Sequence, residues 1–308
     1  MSDSLLLLTV LTIITAATPL VYAAIGELVV ERSGVLNLGV EGMMLVGAVC
    51  SFAAAHYTGF AVAGILAGIV AGMLMAALFA FLTLILHSSQ VATGLALTIF
   101  GIGVSALIGQ PLVGIAYDGL QPLSLPILSD LPILGQLLFS HDVFVYGSFA
   151  LVAAVAWFLS RTRAGLILRS VGDSHDAAHA LGIKVIRIRF FATLFGGACA
   201  GLGGAYLSMV YTPMWVENMS SGRGWIALAL VVFAVWQPGR LLLGAYIFGG
   251  ISILQLHAQA LGINVPSQLM SMLPYVTTIL VLVLISRDSG RIRRNAPASI
   301  GQTFHPTT

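Results

Sequence analysis

Two pairs of polar residues in this sequence have a spacing that could serve chemistry. His175 and His179 are four residues apart, so both imidazoles could reach one metal ion from a single helix face. Neither has a third ligand nearby, and both lie in a polar loop, so we expect no metal site. Asn37 and Glu41 have the same spacing inside an apolar stretch. Polar residues in such a stretch are typical of a pathway through a membrane.

The residue patterns of the common catalytic sites are missing. Lys184 is the one lysine and does not follow a GxxxxG run, so the chain has no loop for the terminal phosphates of a nucleotide. No Ser/His/Asp or Cys/His set is placed for nucleophilic attack, and there is no HExxH helix. Cys50 and Cys199 lie within apolar runs, without the spacing of a disulfide or a metal site. We therefore expect no catalytic residue, no enzyme activity and no cofactor or metal bound by this chain.

Composition indicates what holds these residues in place. The 308 residues are 58% hydrophobic and 8% charged, with a mean hydropathy of +1.02, which is far from a soluble domain. At about 20 residues per span, this predicts an all-α integral membrane protein, a polytopic bundle of about nine transmembrane helices, within a range of about eight to ten. The net charge of +2, with basic residues at span boundaries, does not fit a nucleic-acid partner. The expected spans, within one membrane domain at 1–286, are 5–25, 38–55, 60–86, 91–108, 143–159, 190–209, 226–236, 241–257 and 269–285.

Basic residues predict the topology. The loop at 161–189 holds six of the thirteen Lys and Arg residues, so we expect it in the cytoplasm, together with the basic tail at 287–308. The loop at 110–141 has no Lys or Arg and is expected outside. Arg32 and the parity of the spans place the N-terminus outside. Glycines repeat at every fourth position in the third and sixth spans, which predicts close helix packing and a central sixth helix.

Inside the loop at 161–189 the sequence predicts a short helix. Asp173 can cap its first N–H groups, Asp176 follows in the manner of a capping box, and Gly182 can supply the left-handed residue that ends it. Its apolar face carries Ala177, Ala178 and Leu181. Such a helix suits docking to a soluble partner, although it could also simply keep the loop ordered.

Two other stretches interrupt the apolar pattern. Residues 33–49 place charge and glycine inside apolar sequence, which indicates either a broken membrane segment or a cytoplasmic turn with Glu41 hydrogen-bonded in the bundle. The connection at 211–224 holds Trp215, which suits either an interfacial aromatic belt or the outer wall of a pathway. The candidate pathway residues are the polar or aromatic groups at such breaks, namely Asn37, Glu41, Gln90, Thr93 and Trp215. These residue types would suit a nucleoside or a sugar equally.

Two motifs together resemble a known family. GELVVERSGVLNLGVEGMMLVGA, at 26–48, and RSVGDSHDAAHALGIKVIRIRFFATLFGGACAGLGGAY, at 169–206, resemble the permease subunits of bacterial ABC importers of the ribose and branched-chain amino acid type, above all the nucleoside and simple-sugar branch. The resemblance extends to about residue 286. It implies that the cytoplasmic loop carries a coupling helix that binds an ATPase subunit. The implied contact residues are Arg169, Gly172, Asp173, Ser174, Asp176, Ala177, Ala178, Leu181 and Gly182.

The resemblance also implies partners and a mechanism. The chain would form half of a translocation pathway in the bacterial cytoplasmic membrane, beside a second permease that is either a different chain or another copy. ATP and Mg would bind the separate ATPase subunit, and a periplasmic or lipid-anchored protein would deliver the solute. An ion-coupled secondary transporter is the alternative from another class, and a branched-chain amino acid is the alternative solute. The tail beyond residue 286 has no family motif and suits anchoring at the lipid surface.

Overall fold

The computed structural model of this chain is helical. It describes residues 2–120, 140–260 and 295–305 and single positions at 269, 272, 273, 276, 277, 279, 280 and 283. Ten α-helices and no β-strand occur in these residues, which confirms the all-α class. They are α1 (Ser2–Arg32), α2 (Val40–Thr58), α3 (Ala61–Ala80), α4 (Gln90–Gly109), α5 (Val143–Arg161), α6 (Arg163–Asp173), α7 (His175–Ala180), α8 (Val185–Tyr206), α9 (Arg223–Phe233) and α10 (Pro238–Ala260). One π-helical turn extends α3 over Phe81–Ile85, and another extends α8 over Leu207–Tyr211.

Six of the described helical segments are long and apolar enough to cross a membrane. They are Leu7–Arg32, Val40–Thr58, Ala61–Ile85, Gln90–Leu112, Val143–Arg161 and Val185–Tyr211. These six correspond to the first six expected spans, although the sixth begins at Val185 because its helix also includes the last basic residues of the loop. The seventh expected span corresponds to α9, which has only 11 residues, and the eighth lies within α10. The ninth lies mostly outside the described residues, so the count of about nine stays a prediction.

The central helix is α8, which contacts α1, α2 and α3. Glycines lie where its backbone meets theirs. A Cβ added at Gly201 would overlap the carbonyl of Gly68 on α3, and one added at Gly204 would overlap the carbonyl of Met44 on α2. In lipid, where apolar side chains gain little by meeting each other, such close packing is a main source of helix association. The central position of the sixth span was therefore predicted correctly from its small residues.

The outer faces of α3 and α4 are apolar. Their exposed side chains include Val62, Leu74, Ile99 and Leu107, each more than 60% accessible. Surfaces of this kind are stable against lipid or against another apolar chain, and not against water. The exposure pattern agrees with a multi-pass membrane protein.

Segments that were predicted to be cytoplasmic meet at one end of the bundle. Arg32, at the end of α1, donates from Nε and Nη2 to the carbonyl of Trp236, 3.3 and 3.0 Å away. Its Nη1 donates to the carbonyl of Asn295 at 2.8 Å. The described part of the tail, 295–305, packs into this layer of protein, whereas the sequence had suggested an anchor at the lipid surface.

The glycine contacts predict a specific sensitivity to added volume. We expect Gly201→Val to lower the free energy of unfolding by about 2 kcal/mol, because helices α3 and α8 must separate to admit the side chain. Thermal unfolding of the purified protein in mild detergent measures the effect. Gly103→Val is the matched control, since a Cβ at Gly103 meets no atom within 4 Å. Equal midpoints for the two variants would contradict the packing described above.

Candidate functional site

A buried break in helical structure separates α1 from α2. Residues 33–39 have no regular helix, and Gly34 has a φ of +87°, a conformation that glycine adopts without strain. Ser33, Val35 and Asn37 in this break are fully buried. Buried backbone outside a helix needs hydrogen-bond partners for its N–H and C=O groups, and here other parts of the protein supply them. The sequence indicated either a broken membrane segment or a cytoplasmic turn here, and the position of this stretch relative to the membrane stays a prediction.

Side chains from neighbouring helices satisfy the backbone of the break. Gln90 Oε1, at the start of α4, accepts a hydrogen bond from the Leu36 N–H at 2.8 Å. Glu27 Oε1, on α1, accepts from the Asn37 N–H at 3.1 Å. Asn37 Oδ1 in turn accepts from the Gly39 N–H at 2.9 Å. The break is therefore a specified conformation, whose free N–H groups are bonded by an amide and a carboxyl group from two neighbouring helices.

Glu41 joins this break to a second one. The connection at 212–222 leads into the short helix α9, whose first N–H groups have no intrahelical partner. Glu41 Oε1 accepts from Gly222 N at 2.8 Å and from Ser220 Oγ at 2.5 Å, and its Oε2 accepts from Gly224 N at 2.6 Å. A buried carboxylate at a helix N-terminus is also stabilised by the helix dipole. Glu41 is thus the cap of α9, which agrees with the alternative in which it is hydrogen-bonded inside the bundle.

The other end of α9 is held by α1. Val235 and Trp236 end the helix with φ values of +51° and +52°, which a β-branched residue such as valine rarely adopts. The Trp236 indole donates to Glu31 Oε2 at 2.6 Å, while its carbonyl accepts from Arg32. Both ends of α9 are therefore fixed by charged side chains from the first two helices.

The candidate pathway residues separate into two groups. Asn37, Glu41 and Gln90 meet around the two breaks, and Thr93 lies on the first turn of α4, with its hydroxyl 2.8 Å from Ser88 Oγ. Trp215 lies elsewhere, against Gly109 at the opposite end of α4. At about 1.5 Å per residue, the 20 residues of α4 put about 30 Å between its ends. Trp215 is 3% exposed, so its interpretation as an interfacial belt residue is wrong.

Three buried polar atoms near these breaks lack a hydrogen-bond partner among the described residues. They are Glu27 Oε2, Gln90 Nε2 and Trp215 Nε1. An unpartnered buried polar atom costs free energy, about 1–3 kcal/mol, and is common where a protein binds a solute or changes conformation. Glu27 and Gln90 carry theirs beside the break at 33–39, which they also hold in place.

Two cavities differ in what they could hold. One lies beside the C-terminal end of α4, and we call it the outer cavity because the sequence predicts this end of α4 outside the membrane. It has a volume of 660 Å³ and includes Gln110, Trp215 and Glu217 in its lining. The other has 540 Å³, lies between α1, α5, α6 and α8, and is apolar apart from Arg187. A nucleoside or sugar needs hydrogen-bonding groups beside apolar or aromatic surface, and of these two cavities the outer cavity offers the better match.

The loop between α5 and α8 presents the short helix α7. Its N-cap is Ser174, whose hydroxyl accepts from the Ala177 N–H at 3.3 Å. Asp173 was expected in this role, and that prediction is wrong because Asp173 is the last residue of the preceding helix α6. Gly182 ends the segment at a φ of +81°, as its position predicted.

The residues implied to contact an ATPase are divided between surface and interior. Leu181 is 81% exposed at the tip of the loop, and Ala177 and Gly182 are exposed beside it. Asp173, Ser174 and Asp176 are exposed as well, and Arg169 is half-buried. Gly172 and Ala178 are buried, and a Cβ at Gly172 would overlap the carbonyl of Arg32. The first group could touch a partner directly. Of the buried pair, Gly172 lies against α1, and Ala178 packs with Val171, Val185 and Phe304.

The two histidines of α7 pack against the tail. The rings of His175 and His179 each lie 5.3 Å from the ring of Phe304. His175 Nδ1 is also 3.2 Å from Nη2 of Arg189. Burial lowers the pKa of His175, the Arg189 charge lowers it further, and Asp176 opposes both effects. The described residues contain no group of three or more His, Cys, Asp and Glu side chains placed to hold a metal ion.

Sequence reasoning missed two contributors to this arrangement. Arg189 was counted only as a topology signal, yet its side chain is fully buried and contacts four residues in three other segments. A buried arginine at the edge of a basic segment has the same sequence signature as an exposed one. The tail at 295–305 carried no motif, and only the contacts made in the folded chain identify it.

Comparison with known proteins gives a consistent result. The family described as "Branched-chain amino acid transport system / permease component" matches residues 9–282. A provisionally named glucose ABC transporter permease protein of Haloferax volcanii is 40% identical in an alignment of 314 positions, gaps included, which covers 95% of each chain. The guanosine ABC transporter permease protein NupQ of Bacillus subtilis is 32% identical, covering 89% of this chain and 92% of its own. The nucleoside ABC transporter permease protein NupC of Lactococcus lactis is also 32% identical, covering 87% and 89%.

The Glu41 cap predicts that acceptor oxygens, and not merely a polar side chain, are needed. Glu41→Gln would turn an NH₂ group toward N–H or O–H donors and leave at least one of them unpaired. We expect a loss of about 2 kcal/mol in the free energy of unfolding, the usual value for a hydrogen bond to a charged group. Thermal unfolding in detergent measures this loss, and Glu217→Gln at an exposed position is the control. A Glu41→Gln protein as stable as the control would show that the carboxylate is not the cap.

Proposed function

This chain belongs to the permease-component family of branched-chain amino acid transport systems, and on that premise we propose that it forms half of the pathway by which an ABC importer takes up a nucleoside or simple sugar. The observation that carries the proposal is the nearly full-length match to relatives named for glucose, guanosine and nucleosides. The chain is a multi-pass membrane protein, and we place it in the cytoplasmic membrane of its cell with its N-terminus outside.

The proposed cycle takes its energy from another subunit. ATP and Mg bind an ATPase, and closure of the ATPase moves the docking helix α7, so that the bundle changes the side on which it opens. The exposed tip of the loop, with Leu181 and its neighbours, supports this role. A second permease, which we expect to be a different chain, completes the pathway, and an extracytoplasmic binding protein delivers the solute. The ion-coupled alternative loses its main support, because Glu41 is fully used as a helix cap.

We assign solute entry to the outer cavity. Its aromatic ring, amide and carboxyl groups, from Trp215, Gln110 and Glu217, match a flat base or the face of a sugar together with its hydroxyls. Asn37, Glu41 and Gln90 act at the breaks, where their hydrogen bonds hold backbone in shape, and Thr93 lies beside them. Much of the choice among solutes would rest with the binding protein.

Uptake of labelled solute tests the proposed function. Cells with and without this chain are given radiolabelled guanosine, glucose or leucine, with the proton gradient intact or collapsed. We expect the chain to be required for uptake of guanosine or glucose, and uptake to continue without the gradient as long as ATP is present. Uptake that stops with the gradient while ATP stays high would indicate a secondary carrier. Dependence of leucine uptake alone would replace the proposed solute class.

The docking role predicts a position that matters for the ATPase. Leu181→Glu places a charge on the exposed apolar tip of the loop, so we expect ATPase binding to weaken by about tenfold or more, the usual effect of removing an interface hot spot. Copurification of the ATPase with tagged permease measures this. Tyr57→Glu is the control, because Tyr57 is 71% exposed and lies near the C-terminal end of α2, away from the docking loop. Full recovery of ATPase with the Leu181 variant would remove α7 from the interface.

A further inference from the structure

The described tail segment, 295–305, connects three parts of the protein that are far apart in sequence. It contacts the break after α1, the loop that carries α7, and the turn between α3 and α4. Each of these contacts uses specific atoms of the tail. A loose anchor on a lipid surface would need none of them.

Arg189 is the centre of these contacts. Its Nε donates to the carbonyl of Ser33 in the break at 3.1 Å, and its Nη1 donates to the carbonyl of Gln302 in the tail at 3.0 Å. Its Nη2 lies 3.2 Å from both Ser299 Oγ and His175 Nδ1. The side chain is fully buried. One guanidinium therefore bonds the break, the tail and the docking helix together.

Ser299 and Gly301 extend the connection along the backbone. The Ser299 N–H donates to the carbonyl of Gly172, at the end of α6, at 2.9 Å, and Ser299 Oγ lies 2.6 Å from the same oxygen. The Gly301 N–H donates to the carbonyl of Gly34, in the break, at 3.2 Å. The tail thus makes backbone hydrogen bonds to the docking loop on one side and to the break on the other.

Phe304 and His305 complete the connection. Phe304 is 6% exposed and packs with Val171, Ala178 and Val185, below the docking helix. The ring of His305 lies 4.5 Å from the ring of His87, in the turn between α3 and α4. Any displacement of α7 must therefore either move the tail with it or open this small apolar cluster.

We propose that residues 295–305 form a strap that transmits movement of the docking helix α7 to the break at residues 33–39, with Arg189 as the positioning residue. The proposal rests on the proposed function, since it needs an ATPase to move α7. Leaving a buried charged group without its partners lowers the stability of the folded protein. We therefore expect the atoms around Arg189 to move as one unit. The break in turn contacts Glu27 and Gln90, so movement of the strap reaches α1 and α4.

The test measures the amount of solute imported per ATP hydrolysed. The complete complex is placed in proteoliposomes with its binding protein and with radiolabelled guanosine or glucose, whichever the uptake experiment identifies. One variant lacks residues 304–308, which removes Phe304 and His305 but keeps the tail atoms that bond Arg189. The second is Ser299→Ala, which removes a single hydroxyl. Thr303→Ala, at an exposed position next to Phe304, is the matched control.

We expect both variants to keep the ATPase bound and hydrolysing, while import per ATP falls by about tenfold, a typical size for the loss of coupling between two sites. A purely structural role would lower the amount of folded complex and leave this ratio unchanged. The same ratio in both variants and the control would overturn the proposal, and so would loss of the ATPase from the purified complex. If the truncated chain does not fold, Ser299→Ala decides. If the complex without any substitution imports no solute in the presence of ATP, the proposed function itself is contradicted.

Discussion

Backbone that leaves the helical conformation inside a packed bundle has no water to satisfy it, and the rest of this structure depends on that constraint. Two breaks in the described residues matter here: the one at 33–39, which is mostly buried, and the one at 212–222, which meets the bundle at Glu41. Glu27 and Gln90 hold the first, and Glu41 connects the first to the second. Glu27, Gln90 and Glu41 would each cost free energy in an apolar bundle without hydrogen-bond partners, and these bonds supply the partners. The short helix α9 can start within the bundle because Glu41 accepts hydrogen bonds from the N–H groups of Gly222 and Gly224 at its first turn.

The glycine contacts of α8 determine how far a disturbance at the docking end can spread. Close backbone contact with α1, α2 and α3 means that a shift of α8 must also displace the helices whose glycines it meets. Arg189 lies near the start of this central helix and bonds the break, the tail and α7. The same helix therefore packs the bundle and carries the group that connects the docking loop to the break, which suits a protein whose energy is supplied by another subunit.

Patterns that depend on local chemistry could be predicted from the sequence, and contacts that depend on folding could not. Hydropathy located the six described spans, and the glycine repeats identified the central helix, because lipid imposes the same length and packing on every span. The glycines and charges within 33–49 indicated irregular backbone, but they left open whether it was a broken span or a turn between two spans. Nothing local showed that Glu41 would meet Gly224, which lies 183 residues later, or that Arg189 would be buried. The cap was assigned to Asp173 instead of Ser174 because either residue type can cap a helix, and the sequence did not reveal the helix α6, which ends at Asp173.

The central claim is that the docking helix, the strap and the first break respond together to the nucleotide. Amide hydrogen exchange of the complete complex, compared between its nucleotide-free and ATP-trapped states, tests this most directly. The account predicts that protection changes together in three segments, 175–180, 295–305 and 33–39, although the last is mostly buried. A change confined to 175–180, with the break unaffected, would contradict it.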